Sequence, residues 1–478
     1  MSTLPKIVRQ STAITEPLRH LDGLRPLDVA EWLRDLGSVA LLEDGHRSPR
    51  TGWTFLAADP IAIAQLTDPV LDPFRRARAL LARMGQQPAR DVDLPPWTGG
   101  LAGYLSYDLG RCFERLPDSA TDDQSLPLLS LGLYDWVLAW DHRKARAWLS
   151  CRAVDGDIER MHDRRESVLA RLAAASSKPV AAASPVRGDI PMQFSSNFGR
   201  DAFLTAVEHV KAEIARGEVY QVNLARRLEA AFHGDPWPLY RRISTAEPVP
   251  CGAYLELDRT TGQPRRALLS ASPERFLALS ANGLVATDPI KGTRPRGAMP
   301  SDDRAQRREL LTSLKDRAEN VMIVDVLRND LGRVCVPGSV RVPRLCRLER
   351  TRSVQHLVSR VVGQLRPGHD PFDLLAATFP GGSVTGAPKI RAMETINAIE
   401  PVRRGPYTGS AVWIGADGAA GSSILIRTFV ADGTRLTLHV GGGMTWRSDP
   451  AAEWEETRVK ARGPLDAIGA SEAGPEDV

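Results

Sequence analysis

The chain has 478 residues, more than one hydrophobic core of about 250–300 residues accommodates, so two lobes or one large α/β domain are expected. Hydrophobic residues make up 42% and charged residues 25%, as in soluble globular proteins. A net charge of +4, from 62 basic and 58 acidic residues, gives no support to a charge-driven nucleic-acid binder and suits a small anionic substrate equally well.

Met1 to Gln10 carries no apolar run, so no signal peptide is expected, and no window approaches the ~18–20 apolar residues of a membrane span. WTFLAADPIAIAQL, GGLAGYLSYDLG, SLGLYDWVLAWD and ARAWLSCRAV alternate apolar bursts with turn residues and are expected as strands. DPFRRARALLARM is expected as a helix between them. Residues 173–188, AAASSKPVAAASPVRG, hold almost no large apolar side chain and are expected as an exposed connection. After it, FLTAVEHVKAEIARG has helical spacing and a glycine stop. CGAYLELD and ERFLALS are expected strands, and a long helix is expected from Ser301 to Leu331 behind the acidic first turn Asp302-Asp303. SAVWIGA, SSILIRTFVA and RLTLHVGGG are further strands, and a last helix is expected over about Pro450 to Arg462. Residues 469–478 are expected as a flexible tail. Short turns between most strands favour antiparallel pairing with helices packed outside, an α+β arrangement. Five scattered cysteines, Cys112, Cys151, Cys251, Cys335 and Cys346, include no C-x-x-C pair, which fits reduced thiols of a cytoplasmic protein.

Four places stand out chemically. Asp316 and Glu319 share a face of the long helix, and Glu453 and Glu456 repeat that spacing on the last one. Two such pairs could hold one Mg²⁺, which takes oxygen ligands; alternatively they are solvated faces partnered by Lys315, Arg317, Arg458 and Lys460. FPGGSVTGAPKIRAMETI places Pro388 where a helix begins, so backbone N–H groups near Thr385 to Ala387 form either an anion site or a ligand-free capped turn. A P-loop is not supported, because neither Gly381 nor Gly382 starts a spacing with lysine in place. Gly441 to Gly443 allow close approach to the backbone, or form a simple bulge. Lys291, in ATDPIKGTRPRG, is expected on a rigid loop, where it is a nucleophile or a solvated charge; Glu274, in SASPERFLAL, is a candidate general acid or a surface carboxylate.

The ordered segments SPERF, PIKGTRPRG, DRAENVMIVDVLRNDLG, VQHLVS, FPGGSVTGAPKIRAMETI, RGPYTG, ILIRT, GGG and EWEETRVKA, spread between Phe203 and Arg462, resemble one family. It is the chorismate-utilising enzymes, among them anthranilate synthase component I, aminodeoxychorismate synthase component I, and the isochorismate and salicylate synthases. A weaker resemblance covers VALLEDG, WTFLAADP and WTGGLAGYLSYDLGRCFERLP. The resemblance implies two antiparallel sheets forming a sandwich surrounded by helices, with the active site in a cleft between them. An N-terminal lobe would cover residues 1–172 and a catalytic chorismate-binding region residues 189–468. Glu319 and Glu456 would be direct Mg²⁺ ligands, with Asp316 and Glu453 nearby. Tyr407 and Arg427 would hold the enolpyruvyl carboxylate, an always-charged planar fork suiting that task. Thr385, Gly386, Gly441, Gly442 and Gly443 would complete the anion cradle, and Gln221, Thr293 and Lys460 would be further substrate contacts. His356 would lie near the C4 hydroxyl and Glu274 would help it leave. Leu42, Glu43 and Asp44 match a segment that lines a tryptophan pocket.

Two positions choose a branch of the family. Lysine at 291 resembles the aminodeoxychorismate branch, where anthranilate and isochorismate synthases usually have alanine. Gln221 stands where isochorismate synthases carry a lysine base, and glutamine cannot act as that base. Asn223 and the FERLP ending agree with that branch, while Trp446-Arg447 depart from the smaller or acidic residues of many members. The implied reaction is amination of chorismate at C4 through a covalent lysine intermediate, toward 4-aminobenzoate and folate. No cysteine has the glycine-flanked setting of a glutaminase nucleophile; Cys251 follows Pro250 and begins a strand. Ammonia is therefore expected from a separate glutamine amidotransferase. Anthranilate synthase component I is the nearest alternative, and a non-catalytic chorismate-binding subunit is an alternative of another class.

Overall fold

The computed structural model describes residues 8–10, 12–43, 52–85, 93–176, 192–258, 265–297, 299–350 and 354–474. Its strands form two sheets, one of 14 strands and one of 10, antiparallel except where the short strands Gln193–Ser196 and Ser471–Glu472 run parallel. The reason both faces of the larger sheet are apolar is visible along WVLAWD. Trp136, Leu138 and Trp140 join one core, which also holds Trp237, Leu269 and Leu465. Val137 and Ala139 point the other way, into a core shared with Tyr104, Ala411 and Trp413 of the smaller sheet. Side chains alternate every residue along a strand, so one segment supplies both the inner and the outer layer. The inner layer makes the two sheets a sandwich, and helices cover the outside: Trp237–Ala246 and Pro450–Ile468 on the larger sheet, Arg75–Ala82, Leu314–Gly332 and Pro371–Thr378 on the smaller.

Both sheets interleave early and late sequence. Ala40–Leu42 pairs with Cys251–Asp258, and Gly100–Leu105 pairs with Ser410–Gly415. Residues 1–172 and 189–468 therefore do not form separate sheets.

Several boundaries differ from expectation. The long helix is two helices, Pro300–Thr312 and Leu314–Gly332. Ser313 is extended between them, and its hydroxyl accepts the Asp316 N–H at 3.2 Å, so a serine that fits an N-cap starts a new helix. The last helix runs to Ile468, beyond Pro464, and Gly469 closes it at φ +74°. The expected tail begins with structure, since Ser471–Glu472 pairs with Gln193–Ser196 and Glu472 meets the buried Arg226 guanidinium at 2.6 Å. The helix Ile158–Ser176 takes the first residues of the expected connection; residues 177–188 lie outside the described residues. Lys291 is not on a loop but in the strand Ile290–Pro295. Among the described residues no helix is long and apolar enough to cross a membrane, and the five cysteines are free thiols.

Candidate active site

The helix Pro450–Ile468 packs on the glycine strand Arg435–Met444, and the helix Leu314–Gly332 packs on the strand Ile290–Pro295. Gly442 shows how closely. A β-carbon there would stand 3.3 Å from Glu456 Oε1, 3.5 Å from Glu453 Oε2 and 3.6 Å from Lys460 Nζ. Glu319 is 18% exposed, and its Oε1 is buried without a hydrogen-bond partner. Burial pushes its carboxyl up, against the pull of Lys291 and Lys315, and the charges of Asp316 and Glu456 push the same way. Burial also raises Glu453, with Ser448 opposing. At Glu456 burial is outweighed by Lys460, Lys315 and Lys291, and its carboxyl is held down. Lys460 Nζ lies 2.7 Å from Glu456 Oε1 and donates to the Gly441 carbonyl at 2.8 Å. Asp316 is turned aside: it pairs with Arg294 at 3.1 Å and abuts Gly292.

Among the described residues no three acids, histidines or cysteines stand close enough to enclose a metal as they are placed. The donor chemistry nonetheless fits Mg²⁺. Glu319 offers a buried oxygen with no hydrogen-bond partner, and two carboxylates of the other helix stand close to the bare Gly442 backbone.

Lys291, whose charge acts on Glu319 and Glu456, stands at a bulge. Pairing with the strand Val354–Gln364 shifts register between Lys291 and Thr293, at Gly292 with φ +79°. A side chain at 292 would also strike the Asp316 β-carbon at 2.8 Å, so glycine is needed twice over. The Lys291 amine donates to the Ser383 carbonyl at 3.0 Å. Burial lowers its pKa, partly offset by Glu274, Glu319 and Glu456. Glu274 is itself buried, and burial raises its carboxyl against Lys291, Ser383 and the Ile290 N–H. An amine biased toward its neutral form thus faces an acid biased toward its protonated form, the pairing that proton-coupled covalent chemistry needs. Opposite Thr293, His356 Nδ1 shares a 2.8 Å hydrogen bond with the threonine hydroxyl. Burial and the Arg427 charge push His356 down to about 4, so it is neutral near pH 7.

The glycine-rich turns lie beside these groups. Pro388 does not open the helix, which starts at Lys389; instead Gly386–Ala387 forms a short strand against Gln221 and Val222. Gly386, at φ +146°, would place a β-carbon 2.1 Å from the Gln221 carbonyl oxygen. The Thr385 carbonyl accepts the Asn223 N–H at 2.8 Å. Gln221 is 2% exposed, its Oε1 is buried without a partner, and its Nε2 occupies the space a side chain at Gly443 would need. Tyr407 is buried, and its ring stacks on His439 with centroids 4.9 Å apart. Arg427 adopts a left-handed φ of +50° and pairs with Glu247 at 2.5 Å; a non-glycine residue held there marks a constrained position. Leu42 ends the strand Ala40–Leu42 and pairs with Ala253 and Phe55. Next to it the Glu43 carboxyl is pushed up to about 7 by burial, though Ser244 donates to it at 2.6 Å. Asp44 lies outside the described residues. Trp446 is 62% exposed and packs into no core.

Sequence reasoning missed the support behind the cradle. Arg404 is buried and holds Glu400 at 2.6 Å, the Val384 carbonyl at 3.0 Å and the Asn223 carbonyl at 2.6 Å. In the sequence Glu400 and Arg404 look like an ordinary surface pair one turn apart. Nor did any pattern reveal Lys389, whose ammonium is buried 2.6 Å from Asp330.

The sequence profile of a family described as chorismate binding enzyme matches residues 41–466. The chain belongs to this family. As a chorismate-binding enzyme it is 40% identical over 422 residues to "Aminodeoxychorismate synthase component 1" of Salmonella typhimurium, covering 86% of this chain and 88% of that one. It is 38% identical over 448 residues to "Anthranilate synthase component 1 1" of Haloarcula marismortui, covering 91% and 88%. The crystal structure of anthranilate synthase component I from Streptococcus pneumoniae superposes with a TM-score of 0.74 at 28% identity, covering 88% of this chain and 93% of that one. The sandwich of two antiparallel sheets expected from the motifs is thus the fold of this chorismate-binding enzyme.

Proposed function

We propose that this chorismate-binding enzyme is the large subunit of an aminodeoxychorismate synthase, replacing the C4 hydroxyl of chorismate with an amino group. The observation that carries this reading is Lys291, whose amine reaches the cleft beside Glu274 and between the acid-bearing helices. The similarity to a protein named aminodeoxychorismate synthase component 1 supports it, and Lys291 favours it over the anthranilate synthase reading that the Haloarcula relative keeps alive.

In this mechanism Lys291 Nζ attacks ring carbon C2. Both ring double bonds shift, from C1=C2 and C5=C6 to C1=C6 and C4=C5, and the C4 hydroxyl leaves as water with a proton from Glu274. Neutral His356, fixed by Thr293, hydrogen-bonds the departing oxygen. Ammonia then forms a bond at C4, both double bonds return to C1=C2 and C5=C6, and the C2–N bond to Lys291 breaks. The expelled amine recovers a proton as the new amino group loses one. One difficult substitution becomes two easier ones. Arg427 and Tyr407 hold the enolpyruvyl carboxylate, and the cradle from Thr385-Gly386 to Gly441–Gly443 with Lys460 confines the ring. Glu319 and Glu456, with Asp316 and Glu453 behind them, would hold Mg²⁺, which when bound neutralises and fixes the ring carboxylate. Gln221 offers no base to activate water, which favours ammonia as the nucleophile. The ammonia comes from a separate glutamine amidotransferase, a reading supported by the relative's designation as component 1. The product serves 4-aminobenzoate and folate synthesis.

The test is product analysis with the purified chain, chorismate, Mg²⁺ and ammonium. The wild type yields 4-amino-4-deoxychorismate, and Lys291→Ala loses it or redirects attack to C2. An unchanged product and rate in Lys291→Ala overturns the covalent route; anthranilate from the wild type moves the chain to the other branch. Chorismate binding without consumption favours a non-catalytic subunit.

A further inference from the structure

Three lysines face the carboxylates of the acid-bearing helices. Lys291 is bound to the Ser383 carbonyl, and Lys460 is held by Glu456 and the Gly441 carbonyl. Lys315 is different. It is the second residue of the helix capped by Ser313, where a cation meets the positive end of the helix dipole. Local helix physics therefore disfavours it. Its side chain is half exposed, and its ammonium lies 4.0 Å from Glu319 Oε1, one turn along. From there its charge also acts across the cleft on Glu453 and Glu456. One loosely held ammonium thus answers acids on both helices at once.

We propose that Lys315 is an exchangeable counter-ion for the acid cluster, neutralising the carboxylates of both helices and giving way to a divalent cation when one binds. The proposal rests on the magnesium reading of Glu319 and Glu456. A lysine stem suits the task, because a flexible four-carbon chain can withdraw its compact charge into water without moving the helix. A metal must then compete with that charge. Removing the charge tightens metal binding, whereas a lysine that supported the shape of the site would weaken it on removal.

The test is calorimetric titration of the full chain with magnesium chloride alone. Lys315→Gln binds Mg²⁺ about 5- to 20-fold more tightly than wild type, as expected for one unit charge removed within a few ångströms of a divalent ion near the surface. Lys315→Arg keeps the charge and stays within about twofold of wild type. Lys144→Gln, which removes an exposed ammonium paired with Asp93 at 2.6 Å, leaves the affinity unchanged. Raising the ionic strength narrows the gap between Lys315→Gln and wild type. In melting experiments the Mg²⁺-induced rise in Tm is larger for Lys315→Gln. Equal or weaker binding by Lys315→Gln, with wild type binding normally, overturns the counter-ion role alone. Wild-type affinity that survives Glu319→Gln and Glu456→Gln, or no binding by any variant, overturns the magnesium reading and this proposal with it.

Discussion

Gly442→Ala isolates the cleft's geometry from its stability. The added methyl would stand 3.3 Å from Glu456 Oε1, 3.5 Å from Glu453 Oε2 and 3.6 Å from Lys460 Nζ. These are tight to ordinary contacts with the ends of flexible side chains, and Gly442 has no left-handed φ that forbids alanine. Overpacking costs about 1 kcal/mol at such distances, while the lost freedom of the unfolded glycine returns about 0.4–1 kcal/mol. The two nearly cancel, so Tm should move by no more than about 3 °C. Function should not be spared. The methyl fills the place toward which Glu456, proposed above to hold the metal, Glu453 and Lys460 converge, and displaces them by a few tenths of an ångström. A misplacement of about 1 Å in such a site costs about 100-fold, so a shift of a few tenths of an ångström should lower kcat/KM by about 5- to 10-fold. Chorismate consumption with ammonium and Mg²⁺, read beside a thermal melt of the same preparation, separates the two quantities. Turnover within about threefold of wild type at unchanged Tm would show that the cleft beside Gly442 is not where chemistry occurs.

Glu43 gives a pH signature. Its folded pKa of about 7 lies above the ordinary 4.5, so between those values the folded chain keeps a proton that the unfolded chain has lost. Stability therefore falls as pH rises through that window and levels off above it. Glu43→Gln should remove that slope and be about 3 kcal/mol more stable than wild type above the window; equal stabilities by urea unfolding at about pH 5 and about pH 8 for both proteins would refute it. The Lys389–Asp330 pair makes a different claim. Asp330→Ala leaves a buried ammonium uncompensated and should cost about 3–5 kcal/mol in denaturant unfolding, with partial recovery on adding Lys389→Met. A double variant as unstable as the single one would mean that the loss comes from packing and not from charge.

Whatever has a period or a motif was legible in the sequence. The alternation in WVLAWD announces a strand, and the cores on its two faces explain why nearly every position is apolar. The spacing of Asp316, Glu319, Glu453 and Glu456 announced two acid faces, but not that Asp316 would be drawn off to Arg294. Ser313 was a readable cap overlooked inside a longer helical pattern. Lys291 was singled out, yet its strand and bulge depend on pairing with residues about sixty positions away, which no local pattern carries. The Arg404–Glu400 clamp was illegible for the same reason. Its burial comes from the carbonyls of Val384 and Asn223, brought together only by the finished fold.

The interleaving of the sheets has a consequence for synthesis. The strand Gly100–Leu105 finds one partner nearby in Leu129–Tyr134, but its other edge stays open until Ser410–Gly415 exists. Ala40–Leu42 likewise waits for Cys251–Asp258. A nascent chain therefore carries exposed strand edges and an unclosed apolar layer through most of translation, a state prone to mispairing with other chains. Neither sheet can be finished by the first half of the polypeptide alone. Cutting the gene within the 173–188 segment should thus yield two fragments that aggregate when made separately and recover solubility only when produced together.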